Sequence, residues 1–575
     1  MNNIKEKNNL FECWNELYPD TDTKILDNFI IELDNIKKSI SLKPQEEEWY
    51  KDAIVYSLYV DLFNTNFKGL EEKLEYLSNL GVNCLWLLPI LDSPMRDAGF
   101  DVRDYKKIRS DLFSDNSKIS NEETFINFIE KAHEKNIKII FDIAINHTSD
   151  EHFWFKEAKK SEKNPYHDYY IWNKNTEKYK DARIIFKGIE TSNWEKCNNE
   201  YYFHRFFNFQ PDLNYRNYKV LLEMTRNMMY WLQRGVDGFR ADAIPYLWKQ
   251  EGTSCENLDK DHTIIRFYRA VLNYVRPNTL LLAEACQKPK EVVKYFGNND
   301  ECNAGYHFPL MPQMFKAISM HSKEPIIKTL SPDITPEIPE SCQWFMFLRC
   351  HDELSLELIY VSEQDRKYIH DNYCKEKLWD FRQGQGISAR LANLMDKNPD
   401  KISLAYSVML TLPGTPVIYY GDEFGKTNDE EYYHKMIKIT GKDDTRFLVR
   451  GKINWNKLNT DLKNDETLSY KVFSQISNQI KTRKKYKSFG RGDIQHIDIL
   501  SSDKKELSEI LSYYRIYNDE KILVINNLSD KEFNIIIPDE ALLNKTKDIL
   551  NRELQINKKS RTINLNPYSY YWIQL

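Results

Sequence analysis

From residue 53 onward, short and nearly continuous apolar runs alternate with longer stretches whose apolar residues recur every three or four positions. The runs AIVYSLYV (53–60), CLWLLP (84–89), KIIFDIAIN (138–146) and GFRADAI (238–244) read as strands. So do LLLAEA (280–285), CNAGYHF (302–308), WFMFLRC (344–350) and PVIYYGDE (416–423). Between them, LEEKLEYLSNLG (70–81), NEETFINFIEKAHEKNI (121–137), YKVLLEMTRNMMYWLQRG (218–235) and HTIIRFYRAVLNYVR (262–276) carry the helical period. Strands without polar alternation are covered on both faces. The pattern therefore predicts an α/β protein whose parallel strands close into a (β/α)8 TIM barrel.

The connection after the third strand is too long for a loop. Residues 148 to about 215, rich in Tyr, Trp, Asn and Lys, predict an inserted domain B over the barrel mouth. Residues 1–48 read as two amphipathic helices ahead of a barrel spanning 49–490. Their pattern fits a homo-oligomer contact and a lid over the barrel underside equally well. After the helix TLSYKVFSQISNQIKTRKKY (467–486) the period turns strand-like in KILVINNL (521–528), FNIIIP (533–538) and RTINLNPYSYYWIQL (561–575). These segments predict a C-terminal antiparallel β-sandwich over 491–575.

Composition narrows the function. Lys and Arg number 81 against 86 Asp and Glu, a net charge of −5 without a one-sign block. That balance favours neither nucleic acid nor an anionic membrane surface as partner. The chain has no apolar run of about 18 residues, and the opening MNNIKEKNNLFECW lacks the core of a signal peptide. Nine cysteines, an odd number without CxxC pairs, predict reduced thiols in a cytoplasmic protein.

The polar residues on the apolar strands gather at their C-terminal ends, the end that forms the active site of such a barrel. Asp142, Asn146 and His147 end the third strand, Arg240 and Asp242 the fourth, Glu284 the fifth, and His351 with Asp352 the seventh. Three carboxylates with histidines and an arginine, and no serine or cysteine paired with a base, suit acetal chemistry. Glycosyl transfer needs an ionised carboxylate to attack the anomeric carbon and a protonated carboxyl for the leaving oxygen. Arg240, two residues before Asp242 on one strand face, would hold Asp242 ionised. Glu284, with fewer cations near it in sequence, would keep a raised pKa and act as the acid.

DIAINH (142–147), GFRADAI (238–244), LLAEA (281–285) and FLRCHD (347–352) resemble, in order and spacing, the four signature regions of the α-amylase superfamily. QPDLN (210–214) and GTPVIYYGDE (414–423) resemble two accessory regions. The resemblance implies a retaining enzyme with Asp242 as nucleophile, Glu284 as general acid/base and Asp352 as transition-state stabiliser. It also implies that His147, Arg240 and His351 bind the glucosyl unit. EKYKDARIIF with ETSNW (177–194), YFGNNDEC with YHFPLMP (295–312) and FLRCHDELSLE (347–357) resemble the trehalose synthase branch, which interconverts maltose and trehalose. WKQEGTSCENL (248–258) and GKDDTRFLVRGKINW (441–455) are closer to amylosucrase. Both branches imply that Asp97 and Arg446 close the pocket behind the non-reducing end, which favours small sugars over starch.

Three positions depart from the pattern. Phe100 stands where most relatives have Tyr, keeping the stacking face and losing the hydroxyl. Cys350 replaces Asn or Ser before His351 and reads as a small buried residue. Lys249 replaces a Glu that in trehalose synthases helps hold calcium with Asn146, Asp212 and the backbone of Tyr246 and Leu247. Its ammonium would repel Ca²⁺, so no metal and no cofactor is expected. The expected partner is a small sugar: maltose, trehalose or sucrose. An amylosucrase or α-glucosidase acting on sucrose or maltooligosaccharides is the alternative. A non-catalytic carbohydrate-binding barrel would have lost one of the three carboxylates, and all three are present.

Overall fold

The computed structural model describes residues 2–114, 119–186 and 188–575. Two helices come first, α1 (Asn2–Leu17) and α2 (Lys24–Ser39). The buried residues of α2 are Leu26, Phe29, Ile30 and Leu33, one stripe at the helical period. Eight strands follow: β1 (Val55–Leu58), β2 (Cys84–Leu87), β3 (Lys138–Ala144), β4 (Gly238–Asp242), β5 (Leu280–Ala283), β6 (Ala304–Tyr306), β7 (Gln343–Met346) and β8 (Thr415–Tyr419). They pair in sequence order and close through β8 on β1, all parallel. All four residues of β1, β2, β5 and β7 are buried, which is why those strands lack polar alternation.

The helices α1 and α2 lie on the flank of the barrel. Phe29 stacks against Phe267 of the helix α3 (Asp259–Val275), and Tyr18 donates to the Tyr215 carbonyl at 2.8 Å. Glu32 pairs with Arg226 at 2.9 Å. Only the connection behind them crosses the underside, where Gln45 and Trp49 donate to the carbonyls of Asp237 and Asn278. The expected lid over the underside is thus the short segment after the helices, because the helices' apolar stripes find partners on α3.

Between β3 and β4 a three-stranded antiparallel sheet forms from Trp172–Asn173, Glu200–Phe203 and Trp194–Cys197. It is tied to the end of β3 by a bridge between His147 and Asp212. In the C-terminal region, Asp493–His496, Ile510–Tyr517, Glu520–Asn527 and Tyr570–Gln574 form one antiparallel sheet. Its side chains alternate with the pleat. Leu511, Tyr513, Ile522, Val524 and Trp572 join the barrel core, whereas Tyr514, Leu523, Ile525 and Ile573 pack with Ile535 and Ile563 of a second sheet. Trp572 is fully buried at that junction, and truncating such a side chain costs about 3–5 kcal/mol. No helix among the described residues is long and apolar enough to cross a membrane, and all nine cysteines are free.

Candidate active site

Strand β4 supplies Arg240 and Asp242 from one face because residues two apart share a side of the pleat. The strand can lie this close to β5 because Gly238 has no side chain. A Cβ there would meet Leu280 Cβ and its carbonyl oxygen at 2.6 Å. Register places Arg240 opposite Asp142 of β3. The guanidinium then serves more carboxylates than the sequence suggested. Its Nη1 lies 2.6 Å from Asp142 Oδ1 and 2.9 Å from Asp242 Oδ1, and Nη2 is 3.8 Å from Glu284 Oε1. Trp86 adds its indole N–H to Asp142 at 2.9 Å and lies 5.2 Å from the guanidinium.

Glu284 is oriented from the same strand end. Ala243, directly after β4, adopts left-handed backbone (φ 58°), which a residue with a Cβ does at a cost. Its N–H donates to Glu284 Oε2 at 3.0 Å. Burial is the largest influence on both carboxyls. It pushes Asp242 up to about 6 against the pull of Arg240, and Glu284 up to about 7. Asp142 rises to about 6 for the same reason. The pairing of Arg240 with Asp242 is as the sequence implied, but because Arg240 is shared it restrains the rise without abolishing it. Asp242 remains the more acidic of the two.

Asp352 has a different environment. Its Oδ1 receives Arg446 Nη1 at 3.1 Å and Arg450 Nη2 at 2.8 Å, and Oδ2 lies 3.1 Å from His351 Nε2. Burial alone would raise its pKa. The charges of Arg446 and Arg450, both against Oδ1, overcome it and hold the carboxyl well below the usual carboxylate range. His351 is buried and lowered to about 3 by desolvation, so its imidazole is neutral. Phe100 stacks on His351 with ring centroids 5.7 Å apart.

His147 and Asp97 are joined through Gln210, whose Nε2 lies 3.3 Å from His147 Nε2 and donates to Asp97 Oδ2 at 3.0 Å. No ion pair among the described residues joins Asp97 to Arg446, which is held instead by the nearer Asp444 (2.7 Å) and Asp352. The two residues the resemblance set together at the closed end therefore line one cavity, of about 800 Å³, without touching. Arg240, Glu284, His351, Asp352 and Arg446 line a second cavity of about 190 Å³, also walled by Phe186 and Phe206 of the inserted segment. Asp242 stands beside it, joined to its wall through Arg240. The smaller cavity lies below the ~300–1,000 Å³ of most ligand pockets and suits one hexose unit rather than a glucan chain. Cys350 lines it, and burial pushes its thiol up to about 12, as expected of an inert packing residue.

Sequence reasoning overlooked Arg450, Gln210 and Glu353. Each stands within a motif already singled out, DTRFLVR, QPDLN and HDELSLE, where spacing along the chain gives no sign of what it touches. Glu353 lines the small cavity and is pushed up to about 7 by burial and by Asp352 beside it.

The calcium question is decided at Lys249. Its Nζ lies 2.7 Å from Asp212 Oδ2 and 2.8 Å from Asn146 Oδ1, with lysine and aspartate side chains at most 1% exposed. These residues do not fit Ca²⁺, because the ammonium already occupies the oxygens a cation would use. Lys249→Glu would leave buried carboxylates without a cation, a loss of about 3–5 kcal/mol. Thermal melts of this variant should shift down with chelator and recover with added Ca²⁺, while wild type ignores both. Equal calcium sensitivity in the two proteins would refute this account.

The catalytic-domain profile of the α-amylase family matches residues 45–490, and the C-terminal-domain profile of α-amylase SusG matches 510–569. The trehalose synthase/amylase of Mycolicibacterium smegmatis is 42% identical over 395 residues, covering 66% of this chain and 64% of that relative. The trehalose synthase of a Pimelobacter species is 36% identical over 574 residues, covering 92% of this chain and 96% of the relative. Among solved structures, the α-amylase of H. orenii superposes with a TM-score of 0.69 at 22% identity, over 91% of this chain and 99% of its own. With the closed parallel barrel and its carboxylates at the strand ends, these matches make the chain a member of the α-amylase family.

Proposed function

We propose that this protein is a retaining α-transglucosylase that interconverts maltose and trehalose. The observation that carries the reading is the unequal sharing of Arg240, which touches Asp242 at 2.9 Å and stands 3.8 Å from Glu284 beside one small cavity. Near neutral pH, Asp242 is mostly ionised and its carboxylate oxygen attacks the anomeric carbon. Glu284 gives its proton to the glycosidic oxygen, and the C–O bond to the leaving glucose breaks. Asp352, held ionised by two arginines, stabilises the positive charge that develops on the sugar ring. The released glucose turns beside the glucosyl unit, where Glu353 and Glu357 of the cavity wall offer acceptors for its hydroxyls. Its anomeric hydroxyl then yields a proton to Glu284 and attacks the anomeric carbon of the glucosyl-enzyme, so that the 1,1 bond forms as the ester bond to Asp242 breaks and frees its carboxylate. Full-length relatives bear the name trehalose synthase, which supports this choice of sugars.

The test is NMR product analysis after separate incubation with maltose and with sucrose. Trehalose from maltose supports the proposal. Fructose release from sucrose, without trehalose from maltose, would overturn it in favour of amylosucrase-type chemistry.

The pH dependence of kcat/KM follows from the same groups. Below about 6, Asp242 takes a proton and ceases to be a nucleophile. Above about 7, Glu284 loses the proton it must donate. The profile is a narrow bell whose two limbs belong to the coupled carboxylates around Arg240 rather than to single residues. A profile without an alkaline limb would remove Glu284 from the donor role.

A further inference from the structure

The helix α4 (Glu363–Tyr373) carries His370 in its last turn, with Cys374 four residues on at its C-cap. The next extended segment, Asp380–Phe381, brings Asp380 back to the same place. His370, Cys374 and Asp380 each contribute one donor atom, and the three lie within 4.8 Å of one another. His370 Nε2 is 2.9 Å from Asp380 Oδ1, and the same oxygen accepts the N–H of Gly384 at 2.8 Å. The side chains are reachable from solvent, with His370 27% and Asp380 33% exposed. Asp380 also lines the large cavity, whereas His370 and Cys374 line neither cavity of the candidate active site.

From this geometry we propose that His370, Cys374 and Asp380 form a site for a soft divalent cation of the zinc type. Imidazole, thiolate and one carboxylate are a donor set that suits Zn²⁺ and disfavours Ca²⁺ or Mg²⁺. Spacing of four residues on a helix puts His370 and Cys374 on one face. Neighbouring ligands of a tetrahedral zinc lie ~3.5 Å apart, so the three atoms close in by rotation of partly exposed side chains. Water completes the fourth position. On binding, the Cys374 thiol gives its proton to solvent and its sulfur bonds the metal. His370 turns a ring nitrogen lone pair to the ion, and its contact with Asp380 is replaced by the shared cation.

The site also has a route to catalysis. Asp380 is followed by Phe381 and Arg382, which wall both the small and the large cavity. Arg382 and Gln383 both adopt left-handed backbone, and a Cβ at Gly384 would lie 3.9 Å from the His370 ring. The strained turn that carries the cavity wall is therefore folded directly over the cluster. A metal that pulls on Asp380 restrains this wall, so occupancy slows turnover.

Isothermal titration of the full-length protein with Zn²⁺ in two buffers of different ionisation enthalpy tests the proposal. The expected result is one site per chain with release of about one proton, and an affinity at least about tenfold lower in His370→Ala and in Cys374→Ser. Co²⁺ should show a thiolate-to-metal absorption band that Cys374→Ser abolishes. Both variants should keep the metal-free activity and lose inhibition by Zn²⁺. The other His/Cys cluster found among the described residues, Cys350–His351–Asp352, supplies the control. Binding that survives in both His370 and Cys374 variants, or that is lost in Cys350→Ser instead, overturns the assignment.

Discussion

Asp242→Asn is expected to lower kcat for maltose by about 10⁴-fold or more while the protein stays folded. The amide is nearly isosteric with the carboxylate but cannot form the glucosyl ester, so the first step has no nucleophile. Stability should hold because Arg240 keeps Asp142 at 2.6 Å. One buried cation then faces one buried anion in place of two, which removes a carboxylate that burial already disfavours. The melting temperature should therefore be equal to or above that of wild type, and lost activity cannot be blamed on unfolding. In Asp242→Gly, which empties the face Asp242 occupied, azide with α-glucosyl fluoride as donor should give the β-glucosyl azide. Activity within tenfold of wild type would eliminate Asp242 as nucleophile.

Glu284→Gln should lose about 10²–10⁴-fold on maltose, the usual contribution of a positioned general acid. The loss depends on the leaving group. Glucosyl fluoride departs without a proton, so its first step should be much less impaired, whereas maltose requires the donor. Ala243 N–H, 3.0 Å from the Glu284 carboxyl, can still be accepted by the glutamine carbonyl, so the side chain keeps its orientation. The alkaline limb of the pH profile should vanish with the substitution. An unchanged alkaline limb, or an equal loss on both donors, would assign the proton to another group, with Glu353 the nearest candidate by its raised pKa.

Each strand run, from AIVYSLYV at 53–60 to PVIYYGDE at 416–423, overlaps one of β1–β8, with β7 and β8 beginning one residue before their runs, and period two past residue 490 recurs in the C-terminal sheets. Those features are legible because they are local: a strand buried on both faces must be apolar throughout, and a pleated strand between two cores must alternate. Arg240 beside Asp242 was equally open to reading, since two residues apart on a strand means one face. Asp97 and Arg446 were harder. Their positions were clear, but Arg446 is claimed by Asp444, two residues away, and by Asp352 across the barrel mouth.

The sequence by itself therefore determined the barrel, the added β region and the carboxylates at the strand ends, because each follows from hydrophobic period and position along a strand. Only the tertiary structure decided how charge is shared. Arg240 meets Asp142 from a strand 98 residues earlier, Arg450 reaches Asp352 across 98 residues, and Lys249 reaches Asn146 across 103. Coulomb attraction and desolvation act through space, and their size depends on which loops pack over a group and exclude water from it. Two carboxylates at neighbouring strand ends can thus differ in how closely one arginine holds them, and a lysine can take the oxygens of a buried aspartate and asparagine.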